Sequence, residues 1–471
     1  MATRRDQLHS YQFLTQRVIS AFVMRETDPA QSPLRRGIGA AFAGIMVAVI
    51  VGAGFGIYGL LTNTGNDAWR TDGSVVVEKD TGATYVYAGG VLHPTLNYTS
   101  ALLAAGRPNP TVHRVATKAL TGVTRGVTVG IEGAPASLPR ADSRAGLPWS
   151  ACTVSDTNQA GQPVSRTTLL IAEAPAGARE LGDDALLVAD AKLDTTYLVW
   201  HGLRFPIAQS GTTVPALFGA VVSTTPVSTS WLNTLARGET IGPLTIEGRG
   251  SASAAVPDHR VGDLLVSQSA SGPLFYLVFA DGLATLTPLQ KALVVAQNPG
   301  EPDEISVQQA STAPRSRKLG TPAAEVRPPA TVPTLANRNP ADPLCAVTRD
   351  AKAAPTVSVG GTVAGAPIGA TTGTATRGAE ADGTSLADRV LAPAGRVSLV
   401  RAVASPTAGT GSYFFVTDLG IKYGVPGADV LPLLGFSADL AVNVPNSLVS
   451  RLPTGPVLDP AVARSPVGAT D

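Results

Sequence analysis

Charged side chains are scarce in this 471-residue chain, at 15% against a usual figure of about 25%. The 36 cations and 35 anions leave a net charge of +1. That excludes a whole-chain polycation for nucleic acid, and no acidic tail is visible. Two cysteines can form one disulfide, but neither a four-cysteine zinc site nor a disulfide-dense scaffold. Aromatics reach only 5%. The common catalytic signatures are missing too. There is no G-x-x-x-x-G-K-[ST] and no Gly-Lys pair at all, no H-E-x-x-H and no G-x-S-x-G. His9, His93, His113, His201 and His259 are scattered, with none at metal-ligand spacing. Asp183-Asp184 reads as a Gly-Asp-Asp turn. No catalytic residue, metal or cofactor is therefore expected.

Hydrophobic residues make up 44%, enough for real cores, and Gly 49 with Pro 37 stays below a composition that signals disorder. Length alone suggests about three domains. Gly37 to Leu61 runs without a single charged side chain. A helix of that length crosses the roughly 30 Å hydrocarbon core of a bilayer. A buried core helix would show a polar stripe, and a signal peptide would have a shorter apolar region with a small-residue cleavage site. Gly54-x-Gly56-x-x-Gly59 matches a dinucleotide fingerprint, but it lies inside the apolar run, without a preceding strand. Gly52 and Gly56 fit better as a small-xxx-small helix contact. Residues 1–36 carry a net positive charge, whereas acids outnumber cations in the stretch just after the run. The positive-inside rule then keeps the N-terminus cytoplasmic and the bulk extracytoplasmic. Before the span, Leu8, Tyr11, Leu14, Val18 and Phe22 recur at helical steps on one face. That face needs a partner, and a protein is expected rather than lipid headgroups.

Four stretches share an aromatic, two or three apolar residues and a glycine. They begin at Tyr85, Tyr197, Tyr276 and Tyr413, and short helix candidates follow at Thr99–Ala105, Val214–Val222, Pro288–Ala296 and Val430–Phe436. Arg125-Gly126 follows Tyr85 at the same distance as Arg237-Gly238 follows Tyr197. In the last copy Gly455 follows Tyr413 one position later than this spacing, and Ser447-Leu448 resembles Ser230-Trp231. Cys152 follows Tyr85 at nearly the interval that separates Cys345 from Tyr276, and each comes shortly after a proline. A duplicated layout of module, cysteine strand, module accounts for this. Outside the cytoplasm the pair would oxidise, the alternative being two unpaired buried cysteines. Trp149, Trp200 and Trp231 are candidate interface anchors, Trp149 being the most structural.

The resulting expectation is an α+β, β-rich protein: one transmembrane helix, then four small α/β modules around a β-rich central domain with pseudo-twofold symmetry. The boundaries are 1–36 for the cytoplasmic tail, 37–61 for the span and 62–145 for the first module. Residues 146–190 form the first part of the core, 191–255 the second module and 256–298 the third. A Pro-rich linker occupies 299–343, the second part of the core 344–400 and the fourth module 401–471. Gly360 to Gly383 also reads as loop.

Several segments resemble the EccB family of the type VII (ESX) secretion system of actinobacteria. They are Arg4-Arg5 through Tyr11, Phe13 and Leu14, Asp28-Pro29 through Pro33-Leu34-Arg35, Leu92-His93-Pro94, Asn97-Tyr98, Arg125-Gly126, Gly130-Ile131 and Gly133-Ala134-Pro135. Gln7 to Ser10 and residues 299–343 depart from the common pattern. The resemblance implies an elongated extracytoplasmic part of four repeats and a disulfide between Cys152 and Cys345. It also implies a structural core subunit of the inner-membrane translocon, a homo-oligomer within it. The implied partners are the EccC motor ATPase, EccD, EccE and the mycosin protease. Two alternatives are an extracytoplasmic ATP-hydrolysing subunit, its phosphate site built from turn glycines such as Gly89-Gly90 or Gly360-Gly361, and a cell-wall binding module.

Overall fold

Thr3 and Asp6 open the first helix: the Asp6 carboxylate accepts from the Thr3 N–H (3.0 Å) and hydroxyl (2.6 Å). These bonds hold the Asp6 carboxyl below the usual carboxylate range. Helix α1 covers Arg4–Met24 and ends at Arg25, whose φ of 53° is left-handed. Helix α2 covers Pro33–Thr62, 30 residues or about 45 Å. The structure is a computed structural model and describes residues 3–25, 33–62, 67–190, 192–320, 323, 326–371 and 373–468. It divides into two compact units, Met1–Arg70 with Ala116–Thr121, and Thr71–Val115 with Gly122–Asp471. The first holds both helices.

The second unit is β-rich and repeats one motif four times. Three antiparallel strands are followed by a helix and a fourth strand that returns parallel to the first, so the spatial order is third, second, first, fourth. The first strands are Ser74–Glu78, Leu186–Asp190, Leu264–Ser269 and Val397–Val403. The hairpin strands that carry the aromatic signature are Thr84–Ala88, Thr195–Trp200, Gly272–Phe279 and Ser412–Thr417, each paired with its successor. The helices are Tyr98–Ala105, Ser210–Phe218, Pro288–Gln297 and a 3-10 turn at Leu431–Leu434. Gln209 and Gly219 bound the second helix, so it starts and stops one helical turn before the expected Val214–Val222.

Register corrects the fourth copy. Tyr85, Tyr197 and Tyr276 each sit opposite an equivalent first-strand residue, Val76, Val188 and Leu265. In the fourth repeat that place belongs to Phe414 opposite Val400, and Tyr413 is one position early. Because strand faces alternate, this one-residue offset moves Tyr413 to the other face. It also explains the spacing: counted from Phe414, Gly455 falls at the same interval as Gly126 from Tyr85 and Gly238 from Tyr197.

A return segment completes each repeat, running parallel to the third strand. The N–H groups of Gly126, Gly238, Ser316 and Gly455 donate to the carbonyls of Leu92, Arg204, Leu283 and Lys422. The three glycines lie flat against a ring of the third strand. A Cβ there would stand 2.4 Å from His93, 2.2 Å from Phe205 and 2.3 Å from Tyr423. The third repeat has Ala284 in place of the ring and Ser316 in place of the glycine. Space, not backbone conformation, selects glycine here.

The central sheet has seven strands in the order Thr374–Ala375, Arg389–Leu391, Pro163–Leu170, Trp149–Thr157, Leu344–Thr348, Thr356–Val359, Arg179–Glu180. Cys152 and Cys345 are directly opposite across its middle and form a fully buried disulfide that joins distant parts of the chain. They share one face with Leu170, Val347, Val363 and Ile368, while Trp149, Ala151, Leu344 and Ala346 point to the other. That second face packs on the second and fourth repeats through Trp231, Leu232, Leu448 and Val449. The fourth repeat also shares a core with the first, and the second with the third. Exchanging first for third and second for fourth maps one pair onto the other, the pairing of a twofold arrangement.

Three expected boundaries differ. The second and fourth modules begin before 191 and 401, because each first strand precedes its hairpin. The expected linker 299–343 carries strand Asp303–Glu304, helix Val307–Thr312 and the return segment at Arg315, so the third repeat extends into it. Leu335 then bridges Ala185 of the second repeat. Within Gly360–Gly383 a small hairpin, Thr362–Val363 with Ala366–Pro367, covers the disulfide, and Thr374–Ala375 closes the sheet edge. Pieces this short complete a few backbone bonds without showing a period, which is why their sequence reads as loop.

Candidate functional site

In α1 the side chains of Leu8, Tyr11, Leu14, Val18 and Phe22 are all exposed, from 51% for Val18 to 88% for Phe22. Phe13 is also exposed, on the opposite side, with the Arg17 guanidinium 5.6 Å from its ring centre. The first unit thus leaves the apolar face of its tail helix without a core, although Ser20 is buried. In α2, Gly37–Tyr58 is long and apolar enough to cross a membrane and is wholly exposed. Nothing lies within 4 Å of a Cβ added at Gly52 or Gly56, so a neighbouring helix has room to approach them.

The polar candidates of the second unit are spread over its turns. His93 Nδ1 lies 3.2 Å from the Val127 carbonyl, and His113 occupies the fourth strand of the first repeat. His201 turns the hairpin of the second repeat at a φ of 50°, stacks on Trp200 at 3.8 Å and reaches Asp183 at 2.9 Å. Asp184 donates its N–H to the Leu181 carbonyl, completing the expected turn. Gly89 and Gly90 form the equivalent two-residue hairpin turn at positive φ. Gly360 follows a strand, and a Cβ at Gly361 would meet Pro175. Neither glycine pair opens a helix whose N–H groups could cradle phosphate. Of the three tryptophans, Trp149 and Trp231 are fully buried, donating to the Gly146 and Ala151 carbonyls. Trp231 is therefore a core residue and not an interface anchor.

A family model described as "Type VII secretion system ESX-1, transport TM domain B", EccB, matches residues 1–468. The chain belongs to the EccB family. Among curated proteins it is 29% identical to the ESX-3 secretion system ATPase EccB3 of Mycolicibacterium smegmatis, over 96% of this chain and 89% of that protein. It is 26% identical to EccB3 of Mycobacterium tuberculosis, over 98% and 88%. A solved EccB3 dimer from the ESX-3 core complex superposes with a TM-score of 0.62 at 26% identity, over 83% of this chain and 99% of that one. A chain of an intact ESX-5 inner membrane complex gives 0.64 at 23%, over 100% and 96%, and shares the fold.

Two clusters in this EccB chain were invisible to sequence spacing. Lys422 and Arg204 occupy equivalent third-strand positions, and both are pushed down from their ordinary pKa by burial. Lys422 falls to about 8, with the Arg451 charge a second cause and Asp382 opposing both. Its ammonium donates to the Val449 carbonyl at 3.1 Å, and Arg451 donates to the Ser447 carbonyl at 3.2 Å, so two cations cap the end of helix Asn446–Val449. The other cluster gathers a histidine that stands at no metal-ligand spacing in the sequence. His259 lies with Asp263 and Asp303, one candidate ligand atom from each, all within 4.8 Å of one another. Asp303 comes from beyond the third-repeat helix, and only the parallel fourth strand brings it back.

Proposed function

We propose that this EccB chain is a structural subunit of a type VII secretion membrane complex. One helix anchors it in the inner membrane, with the N-terminus cytoplasmic and the repeats outside. The observation that carries this reading is the tail: five apolar side chains stand exposed on one face of α1, just before the one helix among the described residues that is long and apolar enough to cross a membrane. A protein interface would cover such a face, at a gain of about 25 cal/mol per Å² of apolar surface removed from water. Its partners are the cytoplasmic or membrane components of the same system, EccC, EccD or EccE, with the mycosin protease on the outer side. Gly52 and Gly56 let α2 pack against a neighbouring span, and the subunit is present in more than one copy.

Deleting residues 1–36 while keeping the span should leave an inserted, folded protein that no longer co-purifies with the complex. Undiminished co-purification would overturn the reading. The alternative, an ATP-hydrolysing subunit, rests on the word ATPase in the names of the relatives. ATP turnover by purified full-length protein, abolished by a single polar substitution without loss of assembly, would favour it.

A further inference from the structure

Register between the first strand and the parallel fourth strand defines one equivalent pair of side chains in each repeat. One belongs to a fourth-strand residue, and the other stands two positions before the first-strand residue that pairs with it. In the first repeat the two are Ser74 and His113, in the second Leu186 and Thr225, in the fourth Ser398 and Val442. In the third they are Asp263 and Asp303. Three copies fold with at most one titratable group here, so the motif requires no carboxylate pair. Two adjacent like charges cost stability unless something offsets them.

Among the described residues neither Asp263 nor Asp303 has a lysine or arginine partner. Asp263 accepts the Arg260 backbone N–H at 2.6 Å, while the Arg260 guanidinium donates to the Gly250 carbonyl. What faces the carboxylates is His259, its Nδ1 3.9 Å from the Asp303 carboxylate. Its loop lies against the sheet, and the side chain is 19% exposed, against 67% for Asp303. His259 also lines a cavity of about 340 Å³ with Val256, Leu283, Ile305 and Gln309.

We propose that His259, Asp263 and Asp303 bind one divalent transition-metal ion of the Zn²⁺ or Mn²⁺ class. One imidazole and two carboxylates form a mixed nitrogen–oxygen donor set, which suits these ions better than the all-oxygen shell of Ca²⁺. Metal bonds of about 2.0–2.2 Å put ligand atoms roughly 3.3–3.6 Å apart, so the present spacing closes by about 1 Å through side-chain rotation. Water from the open side completes the shell. The ion cancels the carboxylate repulsion and pins the His259 loop to the fourth strand, a cross-link that the other repeats do not have.

The test uses tag-free full-length protein in detergent, stripped with EDTA and dialysed, then titrated with Mn²⁺ by electron paramagnetic resonance and with Zn²⁺ by calorimetry. One ion per chain should bind, and wild-type Tm should rise with metal. His259→Gln and Asp303→Asn should each weaken binding by at least about tenfold, a loss already typical of outer-shell changes, and remove the Tm rise. Asp303 is exposed, so its variant should fold even if an Asp263 variant does not. No saturable ion at one per chain, or unchanged binding in both variants, would overturn the proposal.

Discussion

Phe205 and Gly238 offer a direct way to measure how the repeats are built. Phe205 is fully buried in the core shared by the second and third repeats, and a Cβ on Gly238 would stand 2.2 Å from its ring. Ordinary contact begins near 3.4 Å, so ring and backbone would have to part by roughly 1 Å. Gly238 has no positive φ, so a side chain there meets the ring and no backbone penalty. Gly238→Ser should therefore cost about 1–3 kcal/mol, the usual range for overpacking. Phe205→Ala should cost about 3–5 kcal/mol through lost burial and the cavity it leaves. The double variant reproduces the Ala284–Ser316 pair of the third repeat, where the serine has space. Its cost should fall below the sum of the singles by about 1 kcal/mol or more. A chain of several domains does not unfold in one step. The assay is therefore hydrogen exchange at amides of strands Thr195–Trp200 and Leu203–Pro206, supported by Tm. Equal cost of Gly238→Ser with and without Phe205 would refute the steric argument.

Three further outcomes follow from named residues. Cys152 and Cys345 should give no thiol labelling after unfolding without reductant, and replacing both with alanine should cost about 2–5 kcal/mol, felt first in the central sheet. Two reactive thiols per chain would contradict this. Lys422, at about 8 against an ordinary 10.5, binds its proton less tightly folded than unfolded, so between those values the unfolded chain carries more protons and stability rises with pH. The Tm difference between wild type and Lys422→Met should therefore change in favour of wild type from about pH 7.5 to about pH 10, and a constant difference would show that this ammonium is not responsible. Trp231→Ala should destabilise by about 3–5 kcal/mol, whereas Trp200→Ala, on a ring that is only partly buried, should cost less. Similar losses would mean that the two rings are buried alike.

Part of the organisation was legible because its signals are local. The uncharged run from Gly37 to Leu61 is by itself long and apolar enough to cross a membrane, and the hairpins announce themselves through β-branched and aromatic runs ending in turn glycines. The near-equal spacing of Cys152 and Cys345 in two halves marks them as equivalent positions but leaves two unpaired cysteines open, and the facing register of their strands is what pairs them. The first strand of each repeat is harder to see. Leu186–Asp190 and Val397–Val403 are buried apolar runs without the aromatic of the hairpin signature, so in sequence they read as part of the core. The return segments are harder still, since each contributes only a bond or two to a neighbouring edge.

The sequence by itself determined the candidate membrane helix, the four-fold repetition and the positions where glycine recurs, since each depends on residues close together or evenly spaced. Tertiary structure alone decided that Phe414 and not Tyr413 matches the other aromatics, because register is a relation between strands and one residue of slip reverses every face. It also decided which repeats share a core, and that Trp231 lies inside one. Asp303 meets His259 and Asp263 for the same reason: a parallel fourth strand returns the chain past its helix to the start of its own repeat, and no spacing rule along the sequence encodes that return.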